Sequence, residues 1–172
     1  MPQEVQKTGP DLAGITDILH VIASVHLTCF TPLLVTGMGC RALSVTGPCA
    51  LIWMLAYAQF TYCGPLILYL GPWLLACFVQ SVFLRDRRQH SRYTGYPLLC
   101  RFVSNEGTAR TLGALLLGGV GLGLLSVNEP LGHFVMGGGV AGVIKEAIEA
   151  TWRQKMALDM HDAGLEAQQW HS

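Results

Sequence analysis

Three histidines give this 172-residue chain its widest choice of chemistry. His20, His26 and His133 lie in or beside long apolar segments, where an imidazole can relay a proton, ligate haem iron or bind a metal. His20 and His26 are six positions apart, whereas two ligands on one helix face need a spacing of three or four. A metal would therefore need a pair between helices, such as His20 with His133. We favour the simpler interpretation, a histidine near a helix end.

Other reactive side chains occur without a catalytic pattern. The six cysteines form no CxxC or CxxH pair, and we interpret them as small apolar residues that pack between helices. Glu129 precedes a proline, at a helix start where an acid suits the helix dipole. The run Gly118–Gly123 lacks the strand before it and the Lys-Ser/Thr after it that a phosphate-binding loop needs. We predict no catalytic residue, no metal site and no cofactor.

The elements that would position these residues are apolar helices. Hydrophobic residues make up 51% of the chain and charged residues 13%, against about 25% charged in soluble domains. Ala42–Leu84 has 43 residues and no charge. As one helix it would reach roughly 65 Å, about twice a hydrocarbon core of ~30 Å. Because Gly-Pro breaks helices, a turn at Tyr62–Pro65 predicts spans over Val45–Tyr62 and Leu66–Leu84.

A second pair of apolar segments follows. Thr111–Val127 is uncharged, Asn128–Pro130 interrupts the pattern, and Leu131–Ile144 completes the pair. Because fourteen residues are short for a span, we expect this helix to continue past Lys145, whose long side chain can reach the membrane surface.

The N-terminal segment has two interpretations. Ile18–Cys40 contains no Asp, Glu, Lys or Arg and is long enough for a fifth span. Alternatively, apolar residues at helical spacing over Leu12–Cys29 predict a helix lying in the membrane interface, followed by a loop. We slightly favour the interfacial helix.

Glycines recur at a spacing typical of close helix packing. Gly119 and Gly123 form one GxxxG pair, and Gly138 and Gly142 form another on the next helix. Removing side chains lets two helix backbones approach closely in lipid. We expect these glycines to pack the second hairpin, with homo-oligomerisation as the alternative.

Arginines predict the orientation. Residues 85–110 hold six arginines and two acids, whereas the two predicted turns hold no Lys or Arg. Basic loops stay in the cytoplasm, so the central loop and the C-terminal tail are predicted to be cytoplasmic. Four arginines beginning at the membrane edge are predicted to contact anionic lipid headgroups or a partner: Arg85, Arg87, Arg88 and Arg92.

The tail is rich in helix formers, with charges paired four residues apart. We expect the last membrane helix to continue into it as one rod until about residues 163–164. One apolar ridge along this rod is predicted either to contact a partner (the basic loop, another copy or another protein) or to lie back on its own domain: Ile148, Trp152, Met156 and Met160.

The sequence thus predicts an all-α, multi-pass membrane bundle of two helical hairpins, with about four transmembrane helices, possibly a fifth, and a cytoplasmic C-terminal helix. Its segments are residues 1–41, 42–84, 85–110, 111–144 and 145–172. The expected function is a non-catalytic subunit or scaffold of a larger membrane assembly. Alternatives are an oligomeric channel or passive transporter and, less favoured, a redox or metal protein using the three histidines. Expected partners are membrane lipids and further copies or other membrane subunits, without nucleic acid.

Overall fold

The computed structural model describes residues 12–36, 45–82 and 95–170. Within these ranges the chain is almost entirely helical, which confirms the all-α class. The helices are α1 (Leu12–Thr28), α2 (Thr31–Leu34), α3 (Thr46–Thr61), α4 (Gly64–Val82), α5 (Glu106–Leu124) and α6 (Glu129–Trp170). Two residues of β1 (Val35–Thr36) pair antiparallel with β2 (Tyr96–Pro97), and a 3-10 helix covers Leu98–Arg101.

The first hairpin joins α3 to α4 through Tyr62 and Cys63. Tyr62 adopts a left-handed conformation (φ 53°), and its N–H donates to the carbonyl of Ala58. Such a residue caps many helix ends, although glycine usually takes the position. Gly64 and Pro65 instead begin α4. We call the end of the bundle that holds this turn the turn end.

The second hairpin joins α5 to α6 through residues 125–128. Asn105 caps α5, because its Oδ1 accepts from the N–H groups of Gly107 (3.0 Å) and Thr108 (3.3 Å). Asn128 caps α6 in the same way, accepting from the N–H of Leu131 at 3.0 Å. The opposite end of the bundle, where α5 and α3 begin and β1 pairs with β2, is called the loop end.

Helix α1 runs antiparallel to α6 inside the bundle. His20 lies near Glu149, and His26 hydrogen-bonds the carbonyl of Phe134, fifteen positions earlier on α6. The helix predicted over Leu12–Cys29 is therefore present, but it packs against α6 and α3.

The break after α1 is stabilised by donors from α4. The Tyr69 hydroxyl donates to the carbonyl of Cys29 at 2.8 Å, and the Trp73 indole N–H donates to the carbonyl of Thr28 at 3.3 Å. Both groups satisfy carbonyls that a helix end leaves unpaired. The Gln80 amide donates to the carbonyl of Pro32 at 3.4 Å, after which the chain returns to the loop end as β1.

Two of the described helices, α4 and α5, are long and apolar enough to cross a membrane. Each has 19 residues, and only 17% of its most apolar window is buried in the bundle. The buried core lies where α1, α3, α4 and α6 meet, around Phe134, Met54 and Leu66. Most of the apolar surface of α4 and α5 therefore faces outward.

Candidate functional site

His26 is held by hydrogen bonds at both ring nitrogens. The Trp53 indole N–H donates to Nδ1 at 2.8 Å, so Nε2 carries the proton and donates to the carbonyl of Phe134 at 2.9 Å. The ring also packs against those of Phe134 and Phe30. His26 thus connects α1, α3 and α6, and in this arrangement neither nitrogen is open to a metal or haem.

The other two histidines lie far from each other. His20 stacks on Trp152 with ring centroids 4.8 Å apart, whereas His133 is exposed near the turn end of α6. Nineteen residues of α6 separate Trp152 from His133, which is roughly 28 Å along a helix. His20 and His133 therefore do not form the metal-binding pair that the sequence analysis considered. Within the described ranges, no cluster of three His, Cys, Asp or Glu side chains could hold a metal.

Glycines pack the helices, but only some of those singled out by the sequence take part. A Cβ at Gly142 would lie 2.7 Å from the Cβ of Ala114, and one at Gly138 would collide with the ring of Phe30, which lies between α1 and α2. Gly119 and Gly123 have nothing within 4 Å of an added Cβ. Spacing alone could not indicate which face of α5 meets α6.

The closest approach between α5 and α6 uses other glycines. A Cβ at Gly139 would lie 2.6 Å from the Cα of Gly118, and one at Gly121 would collide with the backbone of Met136. None of these three glycines is among the four that the sequence analysis selected.

A charged cluster lies at the loop end. Glu149 of α6 lies 3.7 Å from His20, 3.7 Å from Lys145 and 3.8 Å from Arg153. Glu146 accepts a hydrogen bond from Arg153, which raises the pKa of that guanidinium. Burial lowers the pKa of Lys145, and the nearby Glu149 carboxylate opposes that shift. Each carboxylate thus has a cationic partner, and Lys145 shares Glu149 with His20 and Arg153.

Arg110 closes the cluster from α5. Its guanidinium donates to Glu106 at 2.7 Å and to the carbonyl of Gly95 at 2.9 Å. This arginine therefore fixes the segment before β2 onto the start of α5.

A cavity of about 470 Å³ opens beside this cluster, between α1, α5 and α6. Its volume falls within the range of small-molecule sites, roughly 300–1,000 Å³. Most of the lining is apolar, and the charged lining residues all lie at the loop end. The principal lining residues are Ser24, Leu27, Thr28, Leu116, Leu117 and Val120, with Arg110, Lys145, Glu146 and Glu149 at the charged end. The sequence analysis missed this cavity, since its walls come from several segments that are far apart in the sequence.

The tail continues α6 beyond the bundle. Ile148 is partly buried and Trp152 is 40% exposed against His20, whereas Met156 and Met160 are 56% and 70% exposed. The predicted ridge is thus covered by α1 at its beginning and open further along. Arg85, Arg87, Arg88 and Arg92 lie outside the described residues.

Comparison of the chain with protein-family models, with curated proteins and with solved structures found no match.

Proposed function

We propose that this protein is a multi-pass membrane protein in which α3, α4, α5 and the first part of α6 cross the bilayer. The support is its outward-facing apolar surface: Phe60 of α3 is 85% exposed, Leu68 of α4 79% and Leu122 of α5 60%. A soluble monomer seldom exposes a contiguous apolar patch above roughly 600 Å². The helices of a soluble protein's core are mostly buried. In a bilayer, lipid tails would contact these apolar side chains and keep them out of water.

On this bundle, the protein serves as a non-catalytic subunit that presents a helix to a partner in the cytoplasm. The observation that carries this proposal is the length of α6, which runs without interruption over 42 residues, from Glu129 to Trp170. All the residues described individually from 150 to 161 are exposed. Most helices in proteins are stabilised by tertiary packing, which the part of a helix beyond its own domain lacks. A partner would provide that packing.

The partner we propose is the amphipathic helix of another subunit. Met156 and Met160 lie four residues apart on one face, with Lys155 and Asp159 beside them. Methionine side chains adapt to irregular apolar surfaces, and helix-in-groove recognition uses anchors at this spacing.

The test is purification of the full chain in nanodiscs from its native membrane. We expect a stoichiometric polypeptide to accompany the wild type and to be lost with Met156→Gln plus Met160→Gln. The matched control, Lys155→Gln plus Asp159→Asn, changes the adjacent positions of the same exposed segment and should retain it. A photoreactive residue at position 156 should crosslink to that same polypeptide.

Equal recovery with both double variants would overturn the proposal. So would a crosslink from position 156 to a second copy of this chain, since the partner would then be the protein itself.

A further inference from the structure

We propose that the cavity between α1, α5 and α6 binds a single acyl chain whose anionic headgroup contacts Lys145 and Ser24. This ligand site goes beyond the scaffold role and does not depend on the tail.

The shape and lining of the cavity fit such an amphiphile. Along α5 the lining extends from Arg110 at the loop end to Val120. Ten residues of helix correspond to about 15 Å, the scale of an extended acyl chain rather than of a compact polar metabolite. Leu116, Leu117 and Val120 form the apolar end of the lining, where Leu116 is 54% and Val120 57% exposed, and the charges lie at the other end only. The cavity thus divides into an apolar length and a polar end.

The polar end offers donors that the described residues do not satisfy. The Ser24 hydroxyl is buried and has no hydrogen-bond partner among them. The Lys145 ammonium forms an ion pair with Glu149 at 3.7 Å and, with three N–H donors, can bond further acceptors. A buried polar group without a partner is destabilising, so native structures usually supply one.

The remaining charges at this end favour an anion over a cation as the ligand's headgroup. Glu146 is bonded to Arg153, Glu149 lies among three basic side chains, and Arg110 is bonded to Glu106. The groups left to bind a ligand are therefore donors. A carboxylate or phosphate supplies acceptor oxygens to an ammonium and a hydroxyl, and hydrogen bonds between charged groups are stronger than those between neutral ones.

Two sources share this chemistry, a free fatty acid and a single-chain anionic phospholipid. Binding to the full-length protein in non-ionic micelles is measured by native mass spectrometry with palmitate, lysophosphatidylglycerol and lysophosphatidylcholine. We expect saturable binding of one or both anionic probes, and at least roughly tenfold weaker binding of the zwitterionic one. The tighter anionic probe identifies the source.

Two pairs of variants test the placement. Lys145→Gln should weaken binding of the anionic probe by roughly tenfold or more, as expected for loss of a charged hydrogen bond. Lys155→Gln, an exposed lysine ten residues further along α6, should not. Gly113→Leu should fill the cavity, where an added Cβ would make an ordinary contact 3.6 Å from Leu99. Gly71→Leu on α4, with nothing within 4 Å, is its control.

Photoreactive palmitate tests the site in the wild-type protein, so the result does not depend on whether a variant folds. Crosslinks concentrated on residues 113–120 and 24–31 support the site. Uniform labelling of outward residues such as Leu68, or unchanged affinity in a Lys145→Gln protein with wild-type elution, would overturn it.

Discussion

At the scale of single residues, the neighbours of His26 determine which of its ring nitrogens carries the proton and which groups those nitrogens bond. The Trp53 donor fixes the neutral tautomer, and the Phe134 carbonyl accepts the remaining proton. Redox or metal chemistry at this position would require one of these bonds to break. The bonds therefore favour a structural role, which holds the end of α1 inside the bundle.

Trp53→Phe removes the indole donor and leaves Nδ1 of His26 without that bond. We expect a loss of about 1 kcal/mol, or roughly 2–4 °C in Tm, because a hydrogen bond within a membrane bundle contributes that order. Size-exclusion chromatography of the detergent-solubilised protein after heating to a series of temperatures measures this shift in Tm.

Trp152→Phe is the matched control, because Trp152 is about as exposed (40%) as Trp53 (43%) and phenylalanine keeps an aromatic ring beside His20. Equal stability of the Trp53→Phe and wild-type proteins would contradict the role assigned to this bond.

At the scale of elements, the two hairpins were largely predictable. The span predicted over Val45–Tyr62 corresponds to α3 (Thr46–Thr61), because a Gly-Pro pair beside an uncharged run is a strong local signal. The path after α1 was not predictable. Its free carbonyls are satisfied by Tyr69 and Trp73, about 40 or more residues away in the sequence, and no local pattern encodes such contacts.

The glycines of α5 likewise show which features the local sequence predicts and which depend on contacts with distant segments. A GxxxG spacing predicted close packing between helices, but the surface of α6 decides which glycines are buried. Gly121 meets the backbone of Met136, whereas Gly119, two positions earlier, meets nothing within 4 Å.

Gly121→Ala and Gly119→Ala therefore form a matched pair on one helix. We expect Gly121→Ala to destabilise the bundle by about 1–3 kcal/mol, because the helices must separate to admit a methyl group. Gly119→Ala should be neutral or slightly stabilising, since alanine has the higher helix propensity. Reversible unfolding in mixed micelles measures both. Similar losses in the two variants would contradict the assigned α5–α6 contact.

At the scale of the whole molecule, the outward faces suggest where copies would meet. Gly138 packs on Phe30 within one chain, so its substitution would report on folding as well as on assembly. Gly119 and Gly123 lie on an open, exposed face of α5 and are the cleaner probes. Homo-oligomerisation through this face stays a prediction.

We expect Gly119→Leu plus Gly123→Leu to reduce the mass of the protein in nanodiscs to that of one chain. Branched side chains would hold two α5 backbones apart and remove their dispersion contacts. Mass photometry or native mass spectrometry distinguishes the outcomes. A wild type that is already a single copy, or an unchanged oligomer in the variant, would reject this interface.

The orientation of the whole bundle follows from where its charges lie. Five of the six arginines of residues 85–110 precede α5 and the sixth, Arg110, lies near its start, so the loop end should remain in the cytoplasm and the turn end should face the other side. Ser104 lies just before α5 at the loop end, and Ser126 lies in the α5–α6 turn; both are exposed. Cysteines placed there, in a chain without its native cysteines, would report on opposite sides of one membrane.

With a membrane-impermeant maleimide, we expect Ser126→Cys to react in sealed cells and Ser104→Cys to react only after permeabilisation. Each cysteine serves as the control for the other, because both positions are exposed. They differ chiefly in location: one precedes α5 and the other follows it. Reaction of both cysteines from one side would contradict a crossing by α5, and the reverse pattern would invert the assigned orientation. The reverse pattern would also move the α6 tail away from the cytoplasmic partners proposed for it, since the tail leaves the bundle at the same end as Ser104.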